Sequence, residues 1–164
     1  MAYTILFERE INIMRRLLIL LCGLCCFNYV QAFPCFVTIV KDNCWLNYNL
    51  NVDVTNADTG KSIMKIIVPQ GQAWVRQPFV CQTAETLSLT ATFDPVIWES
   101  QADKVYTGKH YWGLPKAILK GHAGWNVTVC FSKDFAEVPL PPDAPGKCEC
   151  DLKSIPPIDP IKVN

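Results

Sequence analysis

Around Tyr48 every second residue is apolar: Tyr48, Leu50, Val52 and Val54 alternate with Asn49, Asn51 and Asp53. A period of two sends the two sets to opposite faces of an extended chain, which predicts a strand with one face in a core and one in water. The same alternation recurs at Leu87, Leu89, Ala91 and Phe93, and again at Trp125, Val127, Val129 and Phe131. Runs at residues 36–40, 62–68 and 73–81 complete the set, with residues 96–98 as a weaker addition. Asn56, Asp58 and Gly60, then Pro69 and Gly71, then Asp94 and Pro95 punctuate the runs with residues suited to turns. Helical periodicity is nearly absent. Only residues 114–120, with Pro115 near the start and Gly121 after the end, predict a short helix.

Strands at this spacing predict an all-β fold, an antiparallel Ig-like β-sandwich of about seven strands over residues 33–137, with a partly closed barrel as the alternative. Beyond Ala136 the pattern stops. Seven of the twelve prolines lie between Pro139 and Pro160, so residues 138–164 predict an extended tail outside any sheet. Within that tail Ile155, Ile158 and Ile161 recur every third residue among prolines. A polyproline helix has three residues per turn, so the three isoleucines would form one apolar edge. Such an edge either lies back on the body or docks on a partner.

Upstream, Arg15 and Arg16 precede an apolar run over residues 17–27, and Val30-Gln31-Ala32 ends it. A basic start, an apolar run and a small-residue exit describe a secretory signal peptide over residues 1–32, cut before Phe33. The run is too short to span a bilayer, which needs about 20 apolar residues. Glu8 and Glu10 place acid where the basic region belongs, so Met14 is the expected start. Cys22 and Cys25 each follow leucine and Cys26 follows Cys25, none of which suits a lipid-anchor site. The destination is therefore outside the cytoplasm: a bacterial periplasm or cell envelope is favoured, and an extracellular location is the alternative.

Removing residues 1–32 changes the cysteine arithmetic. Three of nine cysteines go, leaving Cys35, Cys44, Cys81, Cys130, Cys148 and Cys150, an even set that predicts disulfides in an oxidising compartment. Connectivity stays open. A ring closed directly between Cys148 and Cys150 would be strained, so each is expected to bond to a body cysteine, with Cys130 on the polar side of its strand within reach of the tail. The alternative is a soft metal or redox site at Cys148 and Cys150.

Charge is balanced beyond residue 32, with twelve basic and thirteen acidic side chains and no Lys/Arg run. Nucleic acid and anionic membranes, which attract a concentrated basic face, are not expected partners. His110 and His122 are the only histidines, and no G-x-S-x-G or H-E-x-x-H spacing occurs. The chain is expected not to be an enzyme and to need no metal or cofactor. Tyr106, His110, Tyr111 and Trp112 crowd a long connection that either caps the core or presents a binding surface for protein, small molecule or carbohydrate. Asn126-Val127-Thr128 matches a glycosylation sequon inside a predicted strand, meaningful only in a eukaryotic pathway. The function expected from these readings is an exported interaction module with protein partners, a subunit or accessory of a larger envelope assembly such as a secretion or surface apparatus.

Overall fold

A computed structural model describes residues 33–120 and 122–158. The signal-peptide reading and Ile161 lie outside the described residues. Eight strands form: β1 (Cys35–Lys41), β2 (Asn49–Asn56), β3 (Ser62–Val68), β4 (Trp74–Phe79), β5 (Thr86–Asp94), β6 (Tyr106–Thr107), β7 (Trp112–Gly113) and β8 (Trp125–Phe131). They make two sheets. One is ordered β4-β1-β8; the other is β3-β2-β5-β6, with β7 also paired to β5.

The alternating residues face where their period puts them. Leu50, Val52, Val54, Leu87, Leu89 and Ala91 of one sheet share a single core with Val37, Ile39, Val127, Val129 and Phe131 of the other. Trp45, fully buried ahead of β2, sits at one end of this core with its ring against Phe93 and Phe131. Burial of such surface contributes roughly 25 cal/mol per Å² of apolar area, the main favourable term for the fold.

Three expectations are corrected. The sheets are not wholly antiparallel, because β1 pairs in parallel with β8, Cys35 opposite Trp125 through Lys41 opposite Phe131. The strands of this pair are the first and the last, so no tight turn joins them and none dictates their direction. Residues 114–120 form no helix. The Leu114 N–H donates to Glu85 O and Pro115 O accepts from the Ala84 N–H, committing the start of the segment to a neighbouring loop. So short a segment has too few turns to offset helix nucleation without a packed face. Residues 96–98 form no strand: Pro95 cannot donate to a ladder, and a 3-10 turn at Glu99–Gln101 follows.

Among the described residues no helix is long and apolar enough to cross a membrane. Six cysteines pair across the molecule: Cys35 with Cys81, Cys44 with Cys148 and Cys130 with Cys150, at Cα separations of 6.0, 5.4 and 6.0 Å. Three such pairs suit a chain that matures in an oxidising compartment.

Candidate functional site

The crowded aromatic segment splits into two parts. Tyr106, on β6 beside the central strand β5, is only 2% exposed and stacks on Phe93 at 5.6 Å between ring centroids. Its hydroxyl donates to Gln101 Oε1, and burial pushes its pKa above the usual tyrosine value. Tyr106 therefore belongs to the core, not to a binding surface. Of the next three rings, those of His110 and Tyr111 are exposed, whereas Trp112 is half-buried and packs against the edge of the core. His110 lies against Trp112 with centroids 4.3 Å apart, and Tyr111 is 67% exposed.

Backbone pairing fixes where these rings stand. Gly108 bridges to Phe135, and the Lys109 N–H donates to Asp134 O, pinning one end of the excursion. At the other end Trp112 pairs with Leu87 of β5. The Trp112 ring lies directly over Gly108, where a Cβ would come within 2.7 Å of it. Only a residue without a side chain leaves room for the ring there. His110, Tyr111 and Trp112 thus lie on a short segment held at one end by the turn after β8 and at the other by β5.

The tail behaves differently. Beyond its two disulfides, Asn43 binds it three times: its side chain donates to Lys147 O and accepts from the Glu149 N–H, and its own N–H donates to Glu149 O. Asp143 accepts from Asn47 Nδ2 at 2.8 Å and Tyr48 Oη at 2.9 Å, and these two bonds hold its carboxyl below the usual range. Farther on, the tail crosses the outer face of the three-stranded sheet. Arg76 of β4 donates from Nε to Thr38 Oγ1 and from Nη2 to Pro156 O, while Thr38 donates to Asn126 Oδ1. Ile155 and Ile158 are half-buried in the groove so formed, which Arg76 and Asn126 also line. Over its described length, the isoleucine edge lies back on the body. The sequon asparagine is part of this network, its Nδ2 donating to Thr128.

Three interior polar groups that hold this frame are not evident from sequence pattern. Lys41 is buried at the end of β1, its Nζ donating to Tyr48 O at 2.7 Å, Pro69 O at 2.8 Å and Leu46 O at 3.5 Å. Burial lowers its pKa to about 8. Asp42 accepts from the Cys44 N–H, the Ser132 N–H and Ser132 Oγ, joining the end of β1 to the turn after β8. Thr38 is the third. The one signal for Lys41 and Asp42 is position: two charges directly following a continuous apolar strand.

The two tail cysteines are each bonded to a different body cysteine. Asp42, Cys44 and Cys148 bring ligand atoms within 4.8 Å of one another, but both sulfurs belong to one disulfide. His122 accepts from Trp125 Nε1 at 3.3 Å, and His110 packs on Trp112. No family model, curated protein or solved structure matches the chain.

Proposed function

We propose that this chain is an exported, non-enzymatic interaction module, a subunit or accessory of a larger protein assembly in the bacterial envelope, such as a secretion or surface apparatus. The observation that carries the reading is the exposed Tyr111 and His110 beside a half-buried Trp112, on a frame braced by three disulfides. Tyrosine and tryptophan provide large contact area with few rotatable bonds, and they dominate the energetics of protein interfaces. The frame is read as an Ig-like sandwich. Treating β6 and β7 as one strand interrupted at residues 108–111 makes seven strands, since both pair with β5.

A second reading draws on the same rings: a half-buried Trp112 beside His110 offers a flat face for a sugar or another small ligand. Sizing separates the two. Native gel filtration from source cells, compared with the purified protein, should place the chain in a larger species, and Tyr111→Ala, at a 67% exposed side chain, should release it as a folded monomer. A chain that runs as a monomer in both samples overturns the assembly reading.

A further inference from the structure

One end of the molecule carries a surface that neither the aromatic segment nor the tail explains. Two loops meet there, residues 80–85 after β4 and residues 114–124 before β8. They are tied by the Ala84 N–H to Pro115 O bond and the Leu114 N–H to Glu85 O bond. Three large apolar side chains protrude from them: Val80 is 87% exposed, Leu119 61% and Ile118 52%. The second loop brackets its apolar pair with cations, Lys116 before and Lys120 after.

The two loops themselves carry two lysines, Lys116 and Lys120, and one carboxylate. The only carboxylate on the two loops is Glu85, and both of its oxygens are engaged by protein donors, Oε1 by Asn56 Nδ2 and Oε2 by the Gln82 N–H, each at 3.0 Å. Among the described residues Lys116 and Lys120 make no ion pair or hydrogen bond.

We infer that this end rests on an anionic lipid surface, with Ile118, Leu119 and Val80 entering the headgroup region and Lys116 and Lys120 pairing with lipid phosphates. Apolar tips flanked by lysines match the two forces that hold a peripheral protein at a bilayer. Buried apolar area adds to electrostatic attraction, and a lysine's long apolar stem lets its ammonium stay at the phosphate level while its neighbours go deeper. Each such lysine contributes about 1 kcal/mol near an anionic leaflet, and the attraction falls with salt as the Debye length shortens. An acidic protein would also accept the lysines, but it would need a pocket for three protruding aliphatic side chains, which a fluid headgroup layer accepts without one.

The test is co-sedimentation of the exported protein with vesicles of phosphatidylcholine containing about one third phosphatidylglycerol, against phosphatidylcholine alone. Binding is expected only to the anionic vesicles, weakening as salt rises. Lys116→Glu with Lys120→Glu, and separately Ile118→Ser with Leu119→Ser, should each reduce it about tenfold or more while leaving the melting temperature unchanged, because all four side chains are exposed. No vesicle binding, or binding that both double variants retain, overturns the proposal. Loss of the native complex in the lysine variant without vesicle binding assigns this end to an acidic protein and also overturns it. The assembly reading is judged separately by native sizing, so either can fail without the other.

Discussion

Lys41 shows what a single buried charge does for this fold. Its ammonium supplies the hydrogen bond that Tyr48 O receives and ties β1 to the segment before β2 and to the turn after β3. Lys41→Met keeps the volume and removes the donors. The change should cost about 1–3 kcal/mol in denaturant unfolding, the range for leaving a buried carbonyl unpaired. The pH dependence has a definite sign. With a folded pKa of about 8 against the ordinary 10.5, the native state sheds this proton before the unfolded chain does. Between those values the unfolded state binds more protons, so Lys41 contributes a rise in stability as pH climbs from about 8. Below that range its burial penalty is fully present. The wild type minus Lys41→Met difference in unfolding free energy, measured across alkaline pH, should therefore grow in favour of the wild type; a difference flat in pH would count against it.

At the scale of elements, the aromatic segment and the tail make opposite predictions. Tyr106→Ala opens a hole beside Phe93 and should destabilise by about 3–5 kcal/mol, whereas Tyr111→Ala should leave the melting temperature nearly unchanged and weaken partner capture. Gly108→Ala is a subtler probe, because the new methyl must displace the Trp112 ring without deleting it. It should reduce capture while the core stays intact. For the tail, deleting residues 152–164 spares every pairing cysteine but removes the Arg76 to Pro156 bond and the cover over Asn126. The shortened protein should keep its disulfides, lose about 1–2 kcal/mol of stability and still enter the native complex. A complex that dissolves on truncation would return the docking role to the isoleucine edge.

Much of where the strands lie along the chain could be anticipated because apolar patterning is local: β3 and β8 begin and end where their apolar runs do. What sequence pattern does not reveal is set by partners far along the chain. Residues 114–120 carry helix punctuation, yet Glu85 and Ala84 engage the backbone of the first two and no helix forms. Tyr106 and Tyr111 look alike in sequence, and only the pairing of β6 with β5 buries one and leaves the other exposed. Asn43 and Asp143 resemble ordinary loop polars until they meet residues about a hundred positions away.

For the molecule as a whole, the disulfides decide how much the tail adds to stability. Cys130→Ser removes the cross-link nearest the described end and should cost about 2–5 kcal/mol, readable as a lower denaturant midpoint under non-reducing conditions. Protease sensitivity should then appear first beyond Cys148, still anchored to Cys44, with the two sheets left uncut. Cleavage beginning in the strands would show that the tail stabilises the sheets directly.

The parallel pairing of β1 with β8 bears on when this protein can fold. β1 is the central strand of its sheet, and its partner on one side is about ninety residues later in the chain. On the export route proposed above, a chain crossing a membrane from its N-terminus would deliver β1 first and β8 near the end, leaving an apolar strand with one edge open through most of its passage. Contacts this distant in sequence slow folding and prolong exposure of aggregation-prone edges. On that route the strand order predicts a demand for a holding chaperone, which should ease in a permuted chain that places β8 directly ahead of β1.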